Sequence, residues 1–296
     1  MIFEGPAGFT EFSPFLEYGD AEAAQWLNAA LDFGWQSAPA IFRSQIRVNA
    51  TLPAVAPNEV AGVLERFPGC RTVKVKVAEI GQVLADDVAR VSAARDFAGP
   101  EGRIRLDANG GWNVDEAEHA IHALAPFDLE YVEQPCASVD ELAEIRTRVK
   151  YMGLPIAVDE SVRQASDPLE VVRAQAADLL VIKVQPLGGI RRALSFVSEA
   201  NLPVVVSSAL ETSIGISMGA YLAAAIDTLD YDCGLGTVSL LGVDITEHSL
   251  RAADGAIEVR RVTPSTALLD AHAADADRHD WWTARLERCL AILADS

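Results

Sequence analysis

The sequence predicts an α/β fold in which parallel strands alternate with helices and close into a barrel, with a small α+β unit built from the two chain ends. Three observations carry this expectation. Short β-rich runs recur on a period of roughly 25 residues, each followed by an Ala-, Leu- and Val-rich stretch with polar residues at helical spacing, which is the pattern of a parallel sheet. Eight such units fit between residues 45 and 236 of a 296-residue chain, which suits a closed TIM-like (β/α)7β barrel of the usual ~250 residues with its additions. The two ends break the rhythm. A doubly wound open sheet is the rival, but it would carry a glycine-rich phosphate turn after its first strand, and none is present.

In chain order, residues 1–42 read as a short strand followed by a helix over about 20–33, the first part of a capping domain. The barrel domain, 43–243, contains the runs IRVNATLPA (45–53), TVKVKVA (72–78), RIRLDAN (103–109), LEYVEQP (129–135), PIAVDE (155–160), LLVIKVQP (179–186), PVVVSSA (203–209) and a weaker DYDCGLG (230–236). Helical patterns fill 81–97, 113–125, 138–149, 166–177, 189–200 and 213–227. Residues 244–296 read as strand-like pieces and then a helix over about 278–294, expected to complete the cap.

Composition narrows the functional classes. The formal net charge of −19 argues against a nucleic-acid partner, while a local cluster of lysines still leaves room for a small anionic substrate. Cys70, Cys136, Cys233 and Cys289 lie far apart with no CxxC pair, as expected of reduced cysteines in a cytoplasmic protein. No apolar run reaches the ~18 residues of a membrane span, and the opening residues lack the features of a signal peptide. The sequon at Asn49-Ala50-Thr51 is therefore read as chance. Oligomeric state is not legible.

The chemistry is expected at the C-terminal rim of the barrel. Lys76 ends the second barrel strand, Asp107 and Asn109 the third, Glu133 the fourth, Asp159 and Glu160 the fifth, Lys183 the sixth, and Ser207 and Ser208 the seventh. The steps from Lys76 to Asp107, Glu133, Asp159, Lys183 and Ser207 are 31, 26, 26, 24 and 24 residues, about one strand–helix unit each. One such acid alone would read as a solvated loop residue. Three in register would repel one another unless a cation lay among them, and oxygen ligands without His or Cys point to Mg²⁺, with Mn²⁺ as the variant.

Lys76 and Lys183 would then flank a bound carboxylate from opposite sides, an arrangement suited to removing a proton beside it. In TVKVKVA the two lysines share one face and the valines the other. Lys74 thus stands one layer below Lys76, where a neighbouring ammonium would favour a neutral base. Arg105, two residues before Asp107, is expected to point inward and add positive charge below the metal.

KVK (74–76), RLDAN (105–109), YVEQP (131–135), AVDES (157–161) and VIKVQPLGG (181–189) together resemble the enolase superfamily. Lysines on both the second and sixth strands resemble its muconate-lactonising subgroup. EFSPFLEYGDAEAAQWL (11–27), RVNATLPAVAP (47–57) and SSALETSIG (207–215) are similar to the actinobacterial o-succinylbenzoate synthase family within it. That resemblance implies dehydration of 2-succinyl-6-hydroxy-2,4-cyclohexadiene-1-carboxylate to o-succinylbenzoate in menaquinone biosynthesis. It implies Asp107, Glu133 and Asp159 as Mg²⁺ ligands, Lys76 as the base, and Lys183 as a protonated electrostatic partner. Asn109 and Glu160 would orient the ligands, with Glu160 able to pair with a lysine. Ser207, Ser208 and the turn through Gly236 would line the succinyl pocket, or the serines would cap the next helix.

Two alternatives stay open at this point. One is an N-acylamino acid racemase or dipeptide epimerase using the same lysines, and the other is a non-catalytic barrel. Relative to that family, the chain opens almost at the GFTEFSPF segment, so the first strand or two of the cap are expected to be missing.

Overall fold

The computed structural model describes residues 1–163 and 167–295. The chain starts with a hairpin of β1 (Ile2–Gly5) and β2 (Gly8–Glu11), followed by α1 (Asp20–Trp35). β3 (Gln45–Arg47) and β4 (Ala50–Leu52) lead through α2 (Val60–Leu64) into β5 (Thr72–Lys76), α3 (Leu84–Ala98), β6 (Arg103–Asp107), α4 (Val114–Leu124), β7 (Leu129–Glu133) and α5 (Val139–Val149). Next come β8 (Ile156–Val158), α6 (Glu160–Arg163), α7 (Glu170–Arg173), β9 (Leu179–Ile182), α8 (Ile190–Ala200), β10 (Val204–Val206) and α9 (Ser213–Ala225). β11 (Ala256–Glu258), α10 (Thr266–Ala271) and α11 (Ala276–Ala294) close the chain.

Helix starts follow the local chemistry. Asn113 and Glu116 cap α4 reciprocally, as Ser138 and Glu141 cap α5, each side chain accepting the other residue's backbone N–H. The stretch 166–177, expected as a full helix, yields only the single turn α7; its first residue, 166, lies outside the described residues.

Strands β4 to β10 form one curled parallel sheet in sequence order. The predicted strand 45–53 divides. β3 pairs antiparallel with β11, whereas β4 pairs with β5 inside the barrel. The eighth position is taken by a segment too short for a strand, which bridges Val48 to Cys233 and Ser207 to Gly234. Cys233 N donates to Arg47 O at 2.8 Å, and Gly234 N to Val206 O at 2.8 Å. A Cβ at Gly234 would lie 2.5 Å from Ser207 Oγ, so only glycine lets the chain pass this closely.

The alternation of the strands sorts the side chains. Val73, Val75, Ile104, Leu106, Val132, Ile156, Val158, Leu180 and Ile182 face the helices in the main apolar core. Tyr131, Ala157, Leu179, Val181 and Val205 fill the barrel interior. The valines of TVKVKVA thus lie outward and its lysines inward, because polar groups at the barrel mouth have partners there and none among the helix-facing residues.

A separate cluster of Phe12, Ala23, Ala24, Trp26, Leu27, Ala30 and Cys289 joins the hairpin, α1 and α11. The segment after residue 243 therefore divides. Leu250, Ala252, Ile257 and Val262 bury in the main core, and only α11 packs along α1. No helix among the described residues is long and apolar enough to cross a membrane. Asn49 of the sequon is fully buried and donates to Ala50 O, beyond reach of modification.

Candidate active site

The register of the sheet sets Lys76 beside Asp107 and Asp107 beside Glu133. Asp159 follows the end of β8, and Lys183 the end of β9. Asp107, Glu133 and Asp159 are all buried, as are Lys74 and Lys183, while Lys76 keeps 30 % of its side chain exposed. Three strands, β6, β7 and β8, lie between the strands of Lys76 and Lys183, so the two ammonium groups approach the mouth from different sides.

Each carboxylate leans on a lysine. Lys76 Nζ donates to Asp107 Oδ2 at 2.6 Å and to Asn109 Oδ1 at 2.6 Å. Lys74 Nζ donates to Glu133 Oε1 at 3.0 Å and lies 3.0 Å from Asp107 Oδ2. Lys183 Nζ donates to Asp159 Oδ2 at 2.5 Å. Burial alone would raise the Asp107 carboxyl, but Lys74 and Lys76 hold it well below the usual carboxylate range. Glu133 is pushed the other way, up to about 8, by burial and by Asp107. Burial opposes the charge on Lys74, yet Asp107 and Glu133 hold its pKa well above the usual value. Lys74 is therefore held by two carboxylates and is not a free charge standing against Lys76.

Among the described residues no three His, Cys, Asp or Glu side chains converge on one point. Glu133 Oε2 and Asp159 Oδ1 are nevertheless buried with no hydrogen-bond partner.

The supporting residues divide. Asn109, held at a positive φ of 47°, donates to Glu160 Oε1 at 3.0 Å while receiving Lys76. Glu160 pairs with Arg163, at 2.7 Å from Nη2, and not with a lysine. Burial and Asp159 raise its carboxyl to about 7.

Arg105 does point inward, but its charge is engaged lower in the barrel. Nε donates to Glu130 at 2.5 Å, Nη1 to Asp232 O at 2.6 Å, and the guanidinium lies 4.8 Å from the Tyr131 ring centroid. A register shift between β6 and β7 leaves Glu130 unpaired in the ladder, and this irregularity lets it meet Arg105.

Ser207 is buried beside Gly234, and Ser208 Oγ donates to Gly234 O at 2.8 Å. Neither caps the next helix. Thr212 does so, accepting Ile214 N. Gly236 leaves no open space, since a Cβ there would lie 3.0 Å from Asn49 O.

Three residues went unseen in the sequence. Gln134, at a positive φ of 41°, accepts Asp159 N and Ser161 N and donates to Ser161 and Cys136, so it sets the chain path around Asp159. Arg163 stands beside Glu160 and Asp159, a position its helical spacing from both could have suggested. Glu211 is buried with Oε1 unpartnered, and its carboxyl is raised to about 7 by burial and by Glu11.

Known proteins share this architecture. Residues 57–264 match the "Enolase C-terminal domain-like" family and residues 1–34 the "Enolase N-terminal domain-like" family. The solved structure of a mandelate racemase/muconate lactonizing family protein from Azoarcus sp. EbN1 superposes with a TM-score of 0.73 at 26% identity, over 88% of this chain and 76% of that one. The chain is thus a member of the enolase superfamily. It is 53% identical to an o-succinylbenzoate synthase of Thermobifida fusca (98% of this chain, 90% of the relative) and 50% identical to one of Mycolicibacterium smegmatis (99% and 89%). It belongs to the o-succinylbenzoate synthase family within that superfamily.

Proposed function

We propose that the chain is a hydro-lyase that converts 2-succinyl-6-hydroxy-2,4-cyclohexadiene-1-carboxylate to o-succinylbenzoate and water, a step of menaquinone biosynthesis carried out in the cytoplasm. The observation that carries this reading is the identity of half or more of its residues with the synthases over almost the whole chain.

A divalent cation, Mg²⁺ in this reading, suits the residues present. Asp107, Glu133 and Asp159 would hold it through hard oxygen donors. Glu133 Oε2 is buried without a hydrogen-bond partner and Asp159 Oδ1 has only the Arg163 guanidinium 3.4 Å away, so both oxygens are free to turn to a cation. When bound, the ion would polarise the substrate's ring carboxylate and offset the anionic field around Lys76.

Lys76, as the free amine, takes the proton from the ring carbon that bears the carboxylate. The electron pair passes through the carboxylate and back into the ring as the bond to the hydroxyl oxygen breaks. Lys76 returns its proton to that departing oxygen on the same face, so water leaves by syn elimination and the ring becomes aromatic. Lys183 stays protonated and faces the developing negative charge from the other side. Asn109 and Glu160 hold Lys76 and the rim in place. Residues 1–42 together with α11 act as the cap, and Ser207, Ser208 and Gly236 fix the strand ends beneath it.

Mixing the protein with the cyclohexadiene and Mg²⁺ should give the ultraviolet change of aromatisation. Turnover confined to N-succinyl amino acids, seen as loss of optical rotation, would sink this reading.

A further inference from the structure

Asp87 and Arg90 lie three residues apart on α3, the helix that follows the Lys76 strand, and both are buried. Arg90 Nη1 meets Asp87 Oδ1 at 2.8 Å. Such a pair adds little stability over well-packed apolar side chains, because both ions lose their water. Its remaining polar atoms are directed at the main chain around Lys76. Arg90 Nη1 also donates to Lys76 O at 2.9 Å, and Nε donates to Val55 O at 2.8 Å. Asp87 Oδ2 accepts Ala78 N at 3.1 Å. Arg90 Nη2 is taken by Gln82, whose own side-chain amide donates to Ala54 O at 3.1 Å.

Lys76 is where the strand needs this support. The last pair of the β4–β5 ladder is Leu52 with Val75, so Lys76 lies one residue beyond it, and Arg90 joins the two strand ends instead through Lys76 O and Val55 O. Two residues on, Ala78 takes a positive φ of 60° and turns the chain out of the strand. Val77 N donates to Asp107 O at 3.0 Å, so the peptide after Lys76 is held at its oxygen and its nitrogen, and the next amide is held by Asp87. Packing does the least for Lys76 itself: its side chain is 30 % exposed, against 9 % for Lys74 and for Lys183. The place of its amine at the mouth therefore depends most on the backbone that carries it.

We propose that Asp87 and Arg90 are positioning residues for Lys76, a role that rests on the dehydratase reading above, in which Lys76 is the base. They touch neither substrate nor metal. They fix the end of β5 from the helix side, so that the amine meets the carbon that loses its proton.

Steady-state kinetics of the Mg²⁺-loaded protein tests this with the cyclohexadiene, unlabelled and carrying deuterium on the carbon that loses its proton. Arg90→Lys keeps a charge beside Asp87 but offers one nitrogen where the guanidinium uses three. Its kcat should fall about 10–100-fold with KM within about threefold of wild type, because proton removal and not binding is impaired. Its primary isotope effect on kcat should be at least as large as that of the wild type. Asp87→Asn provides the same comparison if Arg90→Lys does not fold. Arg95→Met is the structural control. From the last turn of the same helix, Arg95 donates to the carbonyls of Gly99, Gly102 and Phe127, which precede β6 and β7 at the far end of the barrel. At a temperature where it is folded, its kcat should stay within about threefold of wild type. A kcat within about threefold of wild type in a folded Arg90 or Asp87 variant, a fall that Arg95→Met shares, or a fall accompanied by loss of the isotope effect would overturn the proposal. Absence of dehydration by the wild-type protein would overturn the function itself, whereas dehydration with unimpaired variants overturns only the role of Asp87 and Arg90.

Discussion

Lys74 Nζ lies 3.0 Å from both Asp107 Oδ2 and Glu133 Oε1, so one buried ammonium serves two carboxylates on neighbouring strands. Removing it leaves buried Glu133 without its ammonium partner and Asp107 with Lys76 alone. Lys74→Met should destabilise the metal-free protein by about 3–5 kcal/mol, measured by denaturant unfolding. Added Mg²⁺ should recover part of that loss; no recovery would argue against a cation among these acids.

Lys76 reaches the same Asp107 oxygen but retains contact with solvent. Lys76→Ala should lower kcat by at least about 10²–10⁴-fold, the usual contribution of a general base, with little change in the unfolding midpoint. Retained turnover in the ultraviolet assay would remove it from the chemistry.

Glu133 has one oxygen held by Lys74 and one with no partner. Glu133→Gln should weaken Mg²⁺ binding by more than the roughly 10–100-fold typical of losing an outer partner of a metal ligand. Titration calorimetry reads this directly, and unchanged affinity would exclude Glu133 as a ligand.

Arg105 belongs to the scaffold, not to the reacting centre. Arg105→Met leaves Glu130 with only the half-exposed Arg103 and the Asp232 carbonyl without its donor, and should cost about 3–5 kcal/mol of stability. The kcat of the folded fraction at low temperature should change less than about threefold. A large fall in kcat with stability intact would place its charge back in the mechanism.

Glu211 makes stability depend on pH. Its folded pKa, raised to about 7 by burial and by Glu11, exceeds the ordinary carboxylate value. The folded state therefore binds more protons than the unfolded one between roughly pH 4.5 and 7, and stability falls as pH rises through that window. Lys183 also faces Glu211 and moderates the shift. Glu133 and Glu160 titrate upward too, so the contrast between wild type and Glu211→Gln isolates this group. The variant should show a flatter fall in melting temperature over the window, and an identical slope would refute the assignment.

Much of the site was legible because a strand's two-residue alternation and a barrel's one-unit repeat are both local regularities. TVKVKVA alone tells which residues share a face, and the spacing of Lys76, Asp107, Glu133, Asp159 and Lys183 tells that they share a rim. The partner of Arg105 was hidden, because it depends on a ladder irregularity that turns Glu130 inward. The division of 45–53 was hidden for a similar reason: β3 is drawn away by β11, some two hundred residues further along the chain. Gln134 gave no signal, since its role depends on a left-handed backbone at that position.

By itself the sequence determined the barrel, its rim and the set of lysines and acids upon it, because periodicity and spacing survive any arrangement of distant partners. Only the tertiary structure decided which lysine holds which acid, that Arg105 braces the lower barrel, and that Arg163 holds Glu160 beneath the Tyr18 ring. Those outcomes depend on contacts between residues remote in the chain, where burial removes water and each charge must find its partner in the fold.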